Sequence, residues 1–140
     1  MDLTSLDFSG AAEAGAVLAL RSPIDSSVLL DAEGNEMTLT LLGKDAPSYQ
    51  KVISKLSNAR LERAKQARKM VFASAEEVLT EEVELLANVT TAWNITLDKE
   101  SPVFSVAEAR KFYRRFEWAR QQANAFIEDR SNFLNSSPSN

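Results

Sequence analysis

Apolar residues recur along this chain at two different periods, and the change between them divides it. Up to residue 43 the apolar runs are short. Ala16–Ala19 leads into Leu20 and then Pro23, which ends a strand or holds it at a sheet edge. Val28–Leu30 is a second run, and Asp31–Asn35 between it and the next reads as a turn, with Gly34 and Asn35 tolerant of positive φ. From Met37 to Gly43 the period is two: Met37, Leu39 and Leu41 alternate with Thr38 and Thr40. The expectation is a small antiparallel meander of two or three strands. So few strands are marginal alone, so a helix should pack on them.

Beyond residue 44 the period lengthens to that of a helix. Asp45 is placed to cap the first helix, and Pro47 stands in its first turn, where a missing N–H costs nothing. Tyr49, Val52, Ile53, Leu56, Ala59, Ala64, Ala67 and Val71 keep helical spacing to about Phe72. Ser74 and Glu77 form a capping box that restarts the chain as a second helix, with Val78, Leu79, Val83, Leu85, Leu86 and Val89 as its apolar side. Asn88–Leu97 is β-branched and extended after its start, and Asp98–Pro102 is a polar turn. Ser105 and Glu108 form another capping box, with Phe104 as a staple. Ala109, Phe112, Phe116, Ala119, Ala123, Phe126 and Phe133 then follow as one helix, or as two broken near Phe116–Glu117. The fold class is α+β, mostly α: an N-terminal antiparallel β meander followed by three to four helices. Residues 1–15, rich in alanine and glycine from Gly10 on, read as a flexible arm, 16–134 as a single domain and 135–140 as a disordered tail.

Composition narrows the chemistry. The 140 residues include no cysteine and no histidine, which excludes disulfides, thiolate metal sites and any Ser–His–Asp or Cys–His arrangement. No apolar run approaches the roughly 18 residues a membrane span needs. Met1–Gly10 carries Asp2 and Asp7 and no basic residue, unlike a secretory signal, so the N-x-S/T triplets at Asn88, Asn94 and Asn135 read as chance matches. The net charge of −4 argues against nucleic acid as the main partner.

The charge is striped, however. Residues 1–36 are acidic apart from Arg21. Residues 51–69 hold Lys51, Lys55, Arg60, Arg63, Lys65, Arg68 and Lys69 against Glu62. Glu76, Glu77, Glu81, Glu82 and Glu84 follow without a basic residue. These glutamates would suit a hard cation, but no calcium-loop pattern accompanies them, and a solvated helix start is the simpler reading. The basic helix would suit phosphate, but no aromatic is interleaved to stack bases, so a solvated face paired with the acidic segments is favoured. Opposite stripes would also suit self-association. Gly43 between strand and helix lacks the further glycines of a phosphate loop.

The aromatics Phe112, Tyr113, Phe116, Trp118, Phe126 and Phe133 are the candidate partner-binding residues. Core packing of the Phe112–Phe116–Phe126 stripe is the plain reading. A docking stripe for a partner is the sharper one, with Tyr113 and Trp118, which lie off the stripe, as the candidates for an exposed patch.

Three stretches carry a family resemblance: Thr38–Tyr49, a strand running through glycine into an acidic-capped helix; Leu85–Asn94; and Val103–Ala109 followed by Phe116–Gln122 and Phe126–Phe133. Together they resemble the tail assembly chaperones of long-tailed bacteriophages. The Phe-x-x-Asp-Arg-x-Asn-Phe pattern at 126–133 is the most distinctive part. Two positions depart from that pattern. Ala92 stands where such sequences often have glycine before the tryptophan, and Asp98-Lys-Glu100 where a glycine turn is common.

The resemblance implies a non-catalytic protein of the host bacterial cytoplasm. It would coat the tape measure protein, help recruit tail tube protein subunits, self-associate, and be absent from the finished virion. It implies no cofactor and no metal. A structural head–tail connector or tail-completion protein is the alternative from a second class, and a nucleic-acid-binding regulator using the basic helix from a third.

Overall fold

The computed structural model describes residues 2–67 and 74–134. Val71 and Phe72 of the expected first-helix end, and the 135–140 tail, lie outside the described residues. After a 3-10 turn at Leu3–Leu6, the element order is α1 (Ser9–Ala14), β1 (Ala16–Ala19), β2 (Thr38–Leu41), α2 (Pro47–Ala67), α3 (Ala75–Val89), β3 (Thr90–Asn94), α4 (Val106–Arg115), α5 (Glu117–Glu128) and α6 (Ser131–Leu134). The class is mixed α+β and mostly helical.

The sheet is antiparallel and three-stranded, in the order β1-β2-β3. It is not the purely N-terminal meander expected. Val28–Leu30 makes only single bridges, Arg21 with Val28 and Leu30 with Glu36. The third strand comes instead from 90–94, with Leu39 opposite Trp93 and Thr40 opposite Ala92. The reason lies in connectivity. Thr90 follows α3 directly, and Val89 already accepts from the Leu42 N–H at 2.9 Å, so the end of α3 delivers the chain to the open edge of β2. The Asp31–Asn35 turn forms as its residues suggest: Gly34 has φ +84, and the Asp31 carboxylate accepts from the Glu33 and Asn35 N–H groups.

One face of the sheet is buried. Leu20, Leu39 and Leu41 meet Val83, Leu86 and Val89 of α3 and Ala109, Phe112 and Tyr113 of α4. α3 therefore lies at the centre of the fold, packed against α2, α4 and α5. The serine half of each expected capping box forms: Ser74 accepts from the Glu77 N–H at 3.2 Å and Ser105 from the Glu108 N–H at 3.1 Å, while Glu108 turns to Lys111. The break near Phe116 is also present, and Arg120 closes it by donating to the Tyr113 carbonyl at 2.6 Å.

The expected Asp45 cap is corrected. The Asp45 carboxylate is held by Arg130, and α2 is capped from α1: Glu13 accepts from the Ser48 N–H at 2.9 Å and from its hydroxyl at 2.6 Å. In the segment read as an arm, Ala12 is buried against Gly43, and a Cβ on Gly43 would stand 2.8 Å from the Ala12 Cβ. Glycine is needed here by close approach, since Phe133 presses on the same spot.

Candidate functional site

The six candidate aromatics divide by burial. Phe112, Tyr113 and Phe133 belong to the core, at 4%, 0% and 2% exposure. Tyr113 is therefore not part of an exposed patch. Its phenol reaches through the core to Thr90 at 2.6 Å, and burial drives its pKa upward. Position alone could not reveal this, because α3 and the sheet enclose α4 on more than one side. Phe116, Trp118 and Phe126 are half-buried. A chain of ring contacts runs from Phe104 through Trp93, Phe112 and Phe116 to Trp118, with centroids 5.2–5.7 Å apart. Phe126 and Phe133 form a separate pair at 5.6 Å. The buried rings thus fix the half-buried ones, and Trp118 and Phe126 emerge on the wall of an open groove of about 530 Å³ between α5 and β1.

A second apolar surface lies on the α2–α3 hairpin, outside the six candidate partner-binding aromatics. No residue from Pro47 to Gln66 is buried. Tyr49, Val52 and Leu56 are half-covered, while Ile53, Leu61 and Val78 of α3 stand at 39%, 59% and 53% exposure. Ile53, Leu56, Val78 and Leu85 line an open cleft of about 410 Å³, rimmed by Arg60 and Glu81. The apolar stripe on α2 is plain in the sequence, but its helical period does not say whether a neighbour covers it.

The charge stripes find partners inside the chain. Glu81 is held by both Arg60 and Arg63, Glu84 by Arg110, Glu76 by Arg114, and Glu82 by Asn124 with Arg120 at 3.8 Å. The acidic α3 is thus flanked by basic α2 on one side and the α4–α5 arginines on the other. Hydrogen bonds from Arg60 and Arg110 lower the Glu81 and Glu84 pKa values. Lys51, Lys55 and Lys65 make no ion pair among the described residues. They share one face of α2 with Glu62 between them, which dilutes any phosphate-binding stripe. Among the described residues, no group of three or more acidic side chains gathers as metal ligands, and no helix is long and apolar enough to cross a membrane.

The residues that carry the family resemblance meet in space. Asp45 and Arg130 form a two-pronged ion pair at 2.7 and 3.1 Å, Gly43 receives Phe133, and Asn132 donates to the Phe126 carbonyl at 2.9 Å. Asp98 and Lys99, where a glycine turn is common, both take positive φ, +50 and +68. Leu97 and Glu100 exchange two 2.8 Å backbone bonds around them. The tight turn is therefore made without glycine. No protein-family model, characterised protein or solved structure matches the chain.

Proposed function

We propose that this protein is a phage tail assembly chaperone. It is non-catalytic, acts in the host bacterial cytoplasm, binds the tape measure protein, helps recruit tail tube subunits, and leaves before the virion is complete. The observation that carries the reading is the α2–α3 hairpin. A 21-residue helix with no buried residue from Pro47 to Gln66, whose Ile53 and Leu56 line a cleft with Val78 and Leu85 of α3, offers an apolar surface to a partner. A long helical partner suits it, because a helix presents apolar side chains at the i, i+3, i+4 spacing that a cleft between two helices accepts.

Co-expression with the tape measure protein of the same genome tests it. The partner is expected to stay soluble and co-purify, and an Ile53→Asp/Val78→Asp variant that keeps its circular dichroism and melting temperature should release it. A partner that precipitates beside the wild-type chain would remove the reading. Recovery of the chain in purified particles would favour the structural head–tail reading instead.

A further inference from the structure

β1 is an edge strand, and its outer edge is open. The Leu20 N–H donates to the Met37 carbonyl at 2.9 Å, so residues 16, 18 and 20 turn their peptide groups toward β2. By the alternation of antiparallel pairing, Val17, Ala19 and Arg21 turn theirs outward. Arg21 is satisfied there by a side chain that imitates a neighbouring strand. Gln122 of α5 accepts from the Arg21 N–H at 3.0 Å and donates to its carbonyl at 2.8 Å. No such partner reaches Val17 or Ala19 among the described residues. Within this four-residue strand, Ala-Val-Leu-Ala, no charge and no proline guards the edge. Beside it runs the groove whose other wall is Trp118 and Phe126.

We infer that this edge receives an extended peptide segment of another protein, added to the sheet as a fourth strand. The segment would exchange main-chain bonds with Val17 and Ala19 and stop at Gln122, which already fills the next place. Alternate apolar side chains would lie against Leu18, Trp118 and Phe126. Arg21 is the one charged residue lining the groove. Its guanidinium donates to the Ser26 carbonyl at 3.0 Å and joins no ion pair among the described residues. An acidic residue at that end of the segment complements it. A single chain fits better than a second copy of the sheet. α5 stands only one side chain away from the edge at Arg21, so a second copy would have to bring its own α5 against this one. The site is separate from the α2–α3 cleft and does not depend on the chaperone reading.

The test uses the full chain and two fluorescein-labelled octapeptides of alternating threonine and valine, one beginning and one ending in aspartate. One of them is expected to bind, and to slow amide hydrogen exchange at Val17 and Ala19 by about tenfold or more. Arg21→Glu, at an exposed position, should transfer the preference to the lysine-bearing counterpart of that peptide. Trp118→Ala should weaken binding in a protein that still melts cooperatively. Failure of both peptides to bind would overturn the inference. So would binding that leaves Val17 and Ala19 exchange unchanged, which would mark a merely apolar groove. Protection of those amides that grows with protein concentration in the absence of peptide would also overturn it, by assigning the edge to a second copy.

Discussion

The most stringent test of the core is the hydroxyl pair that joins α4 to the start of β3. Thr90 Oγ1 donates to the Leu86 carbonyl at 2.7 Å and lies 2.6 Å from the Tyr113 hydroxyl. Threonine has one hydroxyl proton, and Leu86 takes it, so Tyr113 must be the donor to Thr90. Both side chains are buried, at 3% and 0% exposure. Tyr113→Phe removes the bond and leaves a buried acceptor dry, which costs about 1–2 kcal/mol. Thr90→Val leaves the phenol O–H without an acceptor, the worse loss, at about 2–3 kcal/mol. Leu86 is not stranded, because its carbonyl also accepts from the Thr90 backbone N–H. Removing both partners avoids both unpaired groups, so the double variant should cost about 2 kcal/mol, not the sum of the two. For a chain of this size each kcal/mol shifts the melting temperature by roughly 3–4 °C. Thermal and urea melts of the four proteins give the cycle directly. Additive losses would refute the bond and the donor assignment built on it. Burial raises the Tyr113 pKa above its ordinary 10.0, so its share of stability is fully present below that pH and is lost as pH climbs through the folded value. Tyr113→Phe should therefore flatten part of the alkaline loss, with Tyr49, also raised by burial, keeping the rest.

Other expectations follow from particular contacts. Gly43→Ala sets a Cβ 2.8 Å from the Ala12 Cβ and 3.1 Å from the Phe133 ring, and should destabilise by about 1–3 kcal/mol in urea titration. Lys99→Gly relieves a side chain held at φ +68 in an exposed turn, and should stabilise by about 1 kcal/mol, read as a higher melting temperature. Asp45, Glu81 and Glu84 have pKa values lowered chiefly by hydrogen bonds from Arg130, Arg60 and Arg110. Their contribution is present above the ordinary carboxylate values of 3.8 and 4.5 and is lost as pH falls through the lowered ones. Arg110→Ala should thus make the acid side of the stability profile shallower, by the roughly 0.2–1 kcal/mol of a surface ion pair. An unchanged slope in acid melts would show that the Glu84 pair contributes nothing.

What the sequence determined by itself is whatever depends on neighbours a few residues away. The two serine N-caps are of this kind, since Ser74 and Ser105 need only reach an N–H three residues on. So are the Gly34 turn and the period-two run of β2, whereas the helix break at Phe116 was one of two readings that the structure decided. Half of the candidate aromatics, Phe116, Trp118 and Phe126, do border solvent, but only the tertiary structure could sort them from Phe112, Tyr113 and Phe133. Helical phase gives a residue's direction, and burial depends on how many neighbours stand in that direction.

The decisions that were made in three dimensions all involve partners distant in sequence. β3 joined the free edge of β2 and gave the sheet a strand from outside the expected N-terminal meander, because α3 delivers it there. Glu13 capped α2 from 35 residues away, which freed Asp45 for Arg130, 85 residues on. The charge stripes became pairs between adjacent helices. Pro23 hinted locally that β1 lies at an edge, but the Gln122 side chain that stands in for a strand at Arg21 comes from 101 residues away and has no local signature. Local chemistry chose the elements of this protein. Long-range packing chose which of their surfaces stayed uncovered, and those surfaces carry the proposals for its function.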